Sequence, residues 1–313
     1  MESAPKVSVI VPAYNAEKFL KRCLDSLARQ TLQDIEVVVV NDGSKDATGR
    51  IADAFAEKDP RFHVIHQKNK GVAVARQEGM DACAGEYTIQ VDSDDWMEPD
   101  SLEELSRYAD QTSADMVIFD WIRTTREDGD IYECQRPKSL DTTNVFGQMM
   151  QPELHASLAN KLVRRDCYVK YGIRMIPGML MEDQYMCLCL LSHPIKVEYM
   201  NRAFYHYDMT QNPLSTVNKG VPPASRIKPL ELIAESADIT PVEAFYNKAV
   251  LYIAYEALFF PKERCPDYAA LFKKHIGSIR KAKGLPFRTK CLVLLRIYGI
   301  NIPIGALKRF IHR

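Results

Sequence analysis

The chain has 313 residues, 46% of them apolar, with 41 basic and 41 acidic side chains. This composition excludes wholesale disorder and is long enough for about two domains, or for one large domain with an extension. The zero net charge argues against a nucleic-acid partner, and no apolar run reaches the length needed to cross a bilayer.

The first 120 residues alternate between strand-like and helix-like segments. Apolar residues at helical spacing from Phe19 to Leu27 predict the first helix. Strands that are apolar on both faces and joined by helices predict a doubly wound α/β fold with a mostly parallel sheet. The predicted strands are 6–11, 35–40, 62–66, 86–91 and 115–120, and the further helices are 47–58, 72–83 and 99–111.

Polar segments follow four of the predicted strands: "PAYN", "NDGSKD", "QKNKG" and "DSDD". Ligands of such sheets bind at the carboxyl ends of the strands. The first segment lacks G-x-G-x-x-G, which disfavours a dinucleotide site, and "GSKDATG" lacks the spacing and the lysine of a P-loop. Lys68, Lys70 and Arg76 lie near the third strand end, where they could meet a diphosphate or simply face solvent.

The fourth segment contains three carboxylates, Asp92, Asp94 and Asp95, directly after a strand. Close carboxylates stay ionised only beside a cation or in ample water. The structural alternative is a polar turn in which Asp95 or Asp100 caps the next helix, but a cap requires only one carboxylate. Together with Asp42, the cluster favours Mg²⁺ or Mn²⁺ shared with phosphate oxygens.

The remainder of the chain is less regular. Residues 121–140 are polar with a turn at Gly129, which predicts a hairpin or loop. The Pro-rich segment 219–229 predicts a linker, and helical spacing dominates beyond it. We therefore expect a catalytic domain over 1–218, with halves 1–120 and 121–218, and a helical, basic C-terminal extension over 219–313.

The cysteines and the N-terminal segment indicate a compartment. Eight cysteines occur without a Cys-x-x-Cys pair, which favours reduced thiols in the core over disulfides or a zinc site. The start "MESAPKVSVIV" lacks the basic and apolar regions of a signal peptide. We therefore expect a cytoplasmic protein.

Two stretches resemble the family 2 glycosyltransferases of GT-A fold: "VSVIVPAYNAEKFLKRCLDSLARQTLQDIEVVVVNDGSKDAT" and "NKGVAVARQEGMDACAGEYTIQVDSDDW". The similarity continues more thinly through "NKLVRRD" and "MEDQYM" to about Ser215. The resemblance implies inverting, metal-dependent transfer of a sugar from a nucleotide-diphosphate sugar, a UDP-sugar before others, to an acceptor hydroxyl. It also implies a glycan or lipid-linked acceptor and a role in bacterial surface polysaccharide synthesis.

Carried over position by position, the resemblance implies roles for particular residues. Asp94 would ligate the metal together with Asp92, and His206 of "FYHYD" is either a further ligand or a structural histidine. Asp183 of "MEDQ" matches the catalytic base, with Glu182 beside it. The family's nucleotide-binding positions correspond to Pro12, Ala13, Tyr14, Asn15, Asp42, Asn69, Gly71, Arg76, Asp92 and Ser93.

The chemistry of such a transfer needs both kinds of group. A leaving nucleoside diphosphate accumulates negative charge that a metal stabilises, and the attacking hydroxyl needs a carboxylate to accept its proton. A nucleotidyltransferase would show a Gly-rich basic loop that "VPAYNAEKF" lacks, and a non-catalytic nucleotide-sugar-binding module would not need both Asp94 and Asp183. For Asp183 the structural alternative is a carboxylate favoured by a helix N-terminus.

The C-terminal tail has a charge pattern of its own. No acidic residue follows Asp267, and 268–313 contains 11 Lys and Arg residues among apolar ones. The tail either packs as a terminal helix on the catalytic domain or touches an anionic membrane surface. Peripheral attachment to the inner face of the membrane is therefore the second expectation for location.

Overall fold

The computed structural model describes residues 4–126, 128–150, 154–210, 221–236, 239–260, 265–284 and 286–300. These residues form one nine-stranded sheet with the order β3-β2-β1-β4-β8-β6-β9-β5, and β7 pairs with β6 beside this path. The strands are β1 (Val7–Ala13), β2 (Ile35–Asp42), β3 (Phe62–Gln67), β4 (Tyr87–Gln90), β5 (Trp96–Met97), β6 (Met116–Thr125), β7 (Gly129–Glu133), β8 (Lys161–Arg164) and β9 (Val197–Asp208).

The first half of the sheet is parallel and the second half is mixed. β3, β2, β1 and β4 run parallel, as predicted, and β1 and β2 are buried along their whole length because helices cover both faces. β8 then enters antiparallel between β4 and β6, while β6 and β9 are parallel to each other. The mixed half brings segments from distant parts of the chain beside the carboxyl end of β4.

Two hydrophobic clusters lie on the two faces of the sheet, because successive side chains of a strand point to opposite sides. One cluster holds Val9 and Val11 with α1, α2 and α4, and the other holds Ile10 with α3 and the helices that follow α4. The helices are α1 (Leu20–Ala28), α2 (Thr48–Ala56), α3 (Val72–Ala82), α4 (Ser101–Thr112), α5 (Thr142–Met149), α6 (Arg165–Tyr171), α7 (Glu182–Leu191), α8 (Pro223–Ser236), α9 (Glu243–Ala257), α10 (Tyr268–Lys273), α11 (Ile276–Lys281) and α12 (Phe287–Ile297).

The predicted elements of the first 120 residues are confirmed, with ends that differ by a few residues. The hairpin predicted at 121–140 is also present, with Gly129 at the start of β7. The prediction of core thiols holds for six of the eight free cysteines, but Cys134 is exposed and Cys291 is half-buried. Cys134 lies just beyond β7, at the edge of the sheet, where no second layer covers it.

The predicted linker at 219–229 is wrong over its described part. α8 begins at Pro223, a favoured first helical position for proline, and continues through Pro229. Ile227, Leu230 and Ile233 are buried in the same hydrophobic cluster as α7 and α9. Tertiary packing of this apolar stripe therefore overrides the poor helix propensity of proline.

The C-terminal helices share their core with the sheet. Val250 and Leu251 of α9 and Val293 of α12 are fully buried in the cluster that also contains Ile10 of β1. The expected division between 218 and 219 lies outside the described residues. Among the helices that are described, none combines the length and hydropathy required to cross a membrane.

Candidate active site

The loops after β1 and β2 are bonded to each other. The Asn15 amide donates to Ser44 Oγ at 3.0 Å, and the Lys45 amide donates to Asn15 Oδ1 at 2.9 Å. Asn15 has φ +49°, a left-handed conformation that asparagine tolerates better than most residues. "PAYN" and "NDGS" therefore form one continuous surface at the carboxyl edge of the sheet.

Asp42 ties the loop after β3 to the same edge. Its carboxylate is buried and accepts hydrogen bonds from Gln67 Nε2 at 2.7 Å and from the Lys70 and Gly71 amides, each at 2.8 Å. Gly71 has φ +90° immediately before α3, so a side chain there would strain the backbone. Asp42 thus shapes the loop expected to contact the base.

A second glycine allows the two loops to meet. A Cβ atom on Gly43 would lie 2.6 Å from the Asn69 backbone nitrogen, which is closer than packing allows. Gly43 also has φ +72°. Asn69, predicted to line the nucleotide pocket, is therefore held directly against the "NDGS" turn.

The other predicted nucleotide-binding residues surround this edge with different exposure. Pro12 and Ala13 end β1 and are buried, whereas the Tyr14 side chain is 50% exposed and available to a ligand. Ser93 is half-buried between Asp92 and Asp94. The ring of Tyr14 is therefore accessible to a ligand that approaches this edge from solvent.

The three carboxylates of the acidic segment have different environments. Asp95 is fully buried, and it accepts hydrogen bonds from the Tyr205 hydroxyl at 2.6 Å and from the Asp208 amide at 2.8 Å. The helix-capping alternative is wrong for both candidates, because Asp95 bonds β9 instead and the N-cap residue Asp100 makes no side-chain cap to α4. Asp95 fastens the acidic segment to β9.

Arg76 joins the acidic segment to the region predicted to carry the base. Its side chain is 6% exposed, with Nη2 donating to Asp92 Oδ1 at 2.6 Å and Nη1 donating to Glu182 Oε1 at 2.9 Å and to Asp183 Oδ1. Burial by itself would lower the pKa of Arg76, but the three carboxylates raise it above its usual value. The arginine expected to line the nucleotide pocket is therefore charged and holds three site carboxylates together.

Asp183 lies in the first turn of α7, as the sequence predicted, and is held from a second side. Its Oδ2 accepts hydrogen bonds from Ser157 Oγ at 3.2 Å and from the Leu158 amide at 3.3 Å. Burial raises the pKa of Asp183 above its usual value although Arg76 opposes the shift. Burial raises the pKa of Glu182 in the same way, again against Arg76. The site thus contains two carboxyl groups with increased proton affinity.

Asp94 has the electrostatic character of a cation ligand. Burial, and then the charge of Asp92, raise its pKa to about 6. No three His, Cys, Asp or Glu side chains among the described residues form a metal-binding group. Mg²⁺ and Mn²⁺ need no such cage, because one or two carboxylates with substrate phosphates and water complete their coordination. The donor set of Asp92 and Asp94 therefore fits a divalent cation that binds together with a diphosphate.

His206 lies on β9 and contacts two residues that follow the acidic segment in the chain, Trp96 and Glu98. Its ring stacks on Trp96 with centroids 4.8 Å apart, and Nε2 is 2.7 Å from Glu98 Oε1. Nδ1 is buried and has no hydrogen-bond partner among the described residues. These contacts favour the structural role for His206, although they do not test metal binding.

A cavity of about 620 Å³ opens above the carboxylates. Its floor includes four predicted residues, Arg76, Asp92, Glu182 and Asp183, together with Asp95. Its volume lies within the usual range of small-molecule sites. The other predicted nucleotide-binding residues lie outside this cavity, along the loops described above. The site thus consists of an exposed edge with the predicted nucleotide-binding loops and a cavity that includes Asp92 in its lining.

The structure adds positioning residues that the sequence did not single out. Arg22 of α1 donates to the Asp94 carbonyl at 2.5 Å and to Asp208 Oδ2 at 2.6 Å. Lys161 is buried and donates to the carbonyls of His155 and Ser157, which fixes the turn beneath the base. Lys161 belongs to "NKLVRRD", so only the motif resemblance could have indicated it.

Replacing Arg76 by methionine is expected to destabilise the fold by about 3–5 kcal/mol at pH 7.5, because three carboxylates lose their shared cation. A carboxyl group with a raised pKa binds more protons in the folded state. Its unfavourable contribution is therefore absent below the unfolded pKa of about 4 and grows as the pH rises toward the folded pKa. The deficit of the Arg76→Met variant should accordingly be smaller at pH 5 than at pH 7.5.

Urea unfolding at both pH values checks this prediction. Arg174→Met is the matched control, because Arg174 pairs with Asp81 while its side chain is 61% exposed. Such an exposed pair contributes about 0–1 kcal/mol. A deficit for Arg76→Met as small as that of the control, or one that does not change with pH, would contradict the proposed charge cluster.

Comparisons with known proteins identify the family of the chain. The sequence matches the family described as Glycosyl transferase family 2 over residues 8–172. Glycosyltransferase GlyA of Streptococcus pneumoniae serotype 4 is 35% identical over 222 residues, covering 68% of this chain and 32% of that protein. Chondroitin synthase of Escherichia coli is 43% identical over 103 residues, covering 33% of this chain and 15% of that protein.

Solved structures show the same fold. The crystal structure of S. aureus TarS 1-349 in complex with UDP-GlcNAc superposes with a TM-score of 0.73 at 20% identity, covering 94% of this chain and 88% of that one. TarS is a GT-A glycosyltransferase, so the GT-A fold predicted from the sequence is confirmed, including the helical C-terminal part. The chain spans about a third to three-fifths of the length of the first curated relatives that it matches.

Proposed function

The chain belongs to glycosyl transferase family 2, and we propose that it transfers a sugar, with inversion, from a UDP-sugar to an acceptor hydroxyl. The observation that carries the proposal is the arrangement of Asp183 on the cavity floor, joined through Arg76 to Asp92 of the acidic segment. This arrangement supports a reaction in which Asp183 serves as the base for an acceptor hydroxyl that attacks a donor bound near Asp92.

In the proposed mechanism the acceptor enters the cavity and the donor lies along the loops after β1, β2 and β3. Asp183 accepts the proton of the acceptor hydroxyl as that oxygen attacks the anomeric carbon from the face opposite the leaving nucleotide. Ser157 and the Leu158 amide orient the carboxylate. The charge of Arg76 opposes the effect of burial on the pKa of Asp183 and thus favours the ionised carboxylate that a general base requires.

We further propose that the reaction depends on Mn²⁺ or Mg²⁺ held by Asp94 and Asp92. Such an ion, when bound, supplies positive charge to the diphosphate of the donor. The raised pKa of Asp94 supports this assignment, since burial and a neighbouring carboxylate disfavour its ionised form in the absence of a cation. Arg22 helps by fixing the backbone of Asp94 from α1.

The proposed pathway is bacterial surface polysaccharide synthesis, with a glycan or lipid-linked acceptor. Its support is the partial similarity to chondroitin synthase, and the UDP-GlcNAc complex of TarS supports a UDP-sugar as donor. A screen of UDP-, GDP- and TDP-sugars with Mn²⁺ tests the function. A UDP-sugar should raise the melting temperature by mass action and be turned over. Binding without transfer or donor hydrolysis would instead indicate a non-catalytic module.

We also propose that the protein, cytoplasmic in location, attaches to an anionic membrane surface through α12. Leu292, Val293 and Ile297 pack this helix into the core, so the packing interpretation holds for one face. On the other face Phe287 is 78% and Tyr298 59% exposed. Exposed aromatic side chains on a helix from a basic segment, which contains Arg288, Lys290 and Arg296, are typical of interfacial binding.

This attachment predicts salt-sensitive sedimentation with vesicles that contain phosphatidylserine. The full chain should sediment at low salt and remain in the supernatant at high salt, because each cation near the surface contributes only about 1 kcal/mol. Ending the chain after residue 284 should abolish sedimentation. Because that truncation also removes core contacts, a Phe287→Ser, Tyr298→Ser variant with unchanged melting temperature is the better test. Equal sedimentation of this variant and the full chain would refute the proposal.

A further inference from the structure

The cavity above Asp183 is completed by the C-terminal helices and not by the sheet alone. Arg226 of α8 and Ala249, Tyr252 and Ile253 of α9 line it together with the carboxylates. These residues lie beyond the segment of 8–172 that matches the family. Part of the cavity proposed to receive the acceptor is therefore built by α8 and α9, which we here call the α8–α9 wall.

The cavity combines the carboxylates with apolar side chains. Met149, Met150, Leu154 and Ile253 form the apolar part of its lining, here called the apolar belt. Aromatic faces flank the belt, where Trp121 stacks on Tyr207 with ring centroids 5.3 Å apart. A purely polar oligosaccharide would give up its hydrogen bonds to water on contact with this belt and would form no new ones there, which is unfavourable.

The lining contributed by α8 and α9 also carries polar groups. Arg226 Nη1 pairs with Glu256 Oε2, and Tyr252 lies one helical turn before Glu256 on α9. Tyr252 is half-buried, and burial, the charge of Glu256 and a hydrogen bond to Glu256 raise the pKa of its phenol, so Glu256 holds both Arg226 and Tyr252 in place. The α8–α9 wall thus presents an aromatic face with one phenol and one guanidinium group.

We infer that the acceptor is a glycoside with an apolar aglycone, and that Tyr252 and Arg226 select it. The inference rests on the proposed function. The reacting sugar would stand over Asp183, and the aglycone would fill the apolar belt against Tyr252 and Ile253. Pockets of this type combine apolar walls with a few placed polar groups, and aromatic rings supply much of the contact. The carboxyl groups of Asp92, Asp95, Glu182 and Asp183 outnumber the guanidinium of Arg76 on the floor, so a reacting sugar that carries a negative charge is disfavoured.

The experiment uses the full chain saturated with UDP and Mg²⁺, which, unlike Mn²⁺, is diamagnetic and leaves the NMR signals of the ligands sharp. The probes are p-nitrophenyl and methyl glycosides of glucose, galactose and N-acetylglucosamine, titrated by saturation-transfer NMR. At least one p-nitrophenyl glycoside should bind tenfold or more tightly than its methyl counterpart. The Tyr252→Ala variant should lose at least fivefold of that preference while its affinity for UDP, measured by calorimetry, stays within twofold of the original.

Tyr255→Ala is the matched control, because Tyr255 is a half-buried tyrosine of the same helix that packs on Phe259 outside the cavity. If Tyr252→Ala fails to fold, Tyr252→Leu keeps an apolar side chain while removing the ring and the hydroxyl. Equal affinity for aryl and methyl glycosides, no binding of either, or an equal loss in the Tyr252 and Tyr255 variants would overturn the inference and leave the proposed function standing. Failure of UDP to bind would overturn both.

Discussion

Replacing Asp94 by alanine is expected to abolish sugar transfer and to remove the Mn²⁺ dependence of UDP binding. Burial and the charge of Asp92 raise the pKa of Asp94 to about 6, so this carboxylate gains most from a bound cation. Loss of a first ligand should lower metal-dependent UDP affinity by at least ~100-fold, more than the 10–100-fold typical of outer-shell partners. Calorimetric titration with UDP at fixed Mn²⁺ measures this loss.

The same pKa predicts how binding depends on pH. A cation binds the deprotonated carboxylate, so the affinity of the original protein for Mn²⁺ with UDP should rise as the pH increases from 5 to 7. Stability should move in the opposite direction. Since the pKa of Asp94 is raised in the folded state, its charge opposes folding above the unfolded pKa, and Asp94→Ala should melt at the same or a higher temperature at pH 7.

Asp100→Ala is the control for this experiment, because Asp100 follows the acidic segment and pairs with Arg202 near the surface. It should retain both transfer and metal dependence. Unchanged metal dependence in Asp94→Ala would show that the cation, if one is used, is held elsewhere.

Replacing Asp183 by asparagine should reduce kcat by about 10²–10⁴ with little change in donor affinity. Asparagine keeps the size of the side chain and can still accept hydrogen bonds from Ser157 and the Leu158 amide, but it cannot accept the proton of the acceptor. Initial rates with the donor identified by the nucleotide-sugar screen separate kcat from KM. The pH dependence of kcat should also lose its acidic limb in the variant.

Two further variants make this test specific. Asp166→Asn changes another first-turn helix carboxylate, in α6, that is exposed and away from the site, and it should leave kcat unaltered. Glu182→Gln examines the neighbouring carboxyl group, which shares Arg76 with Asp183. Near-normal turnover in Asp183→Asn together with a large loss in Glu182→Gln would transfer the role of base to Glu182.

Local sequence patterns were sufficient for the first half of the fold. β1 and β2 are rich in Val and Ile, and α1 carries Leu20, Leu24 and Leu27 on one face, so that hydrophobic patterning alone identified them. The polar segments could be assigned to the carboxyl edge because parallel strands all end there. The linker prediction at 219–229 was wrong because a tertiary effect decided the structure there: burial of Ile227 and Leu230 outweighs the local effect of two prolines.

The candidate site likewise has features that local sequence determines and features that only tertiary contacts decide. The sequence by itself determined the acidic segment and the "MEDQ" segment, because motif order and spacing are visible without a structure. That Arg76 would hold Asp92, Glu182 and Asp183 together was decided only by tertiary structure, because Glu182 and Asp183 lie 106 and 107 residues after Arg76 and their ion pairs depend on burial. The same is true of the α8–α9 wall: α8 packs against α7 and α9 packs against α8, which no local pattern records, and Tyr252 thereby lines the same cavity as the carboxylates.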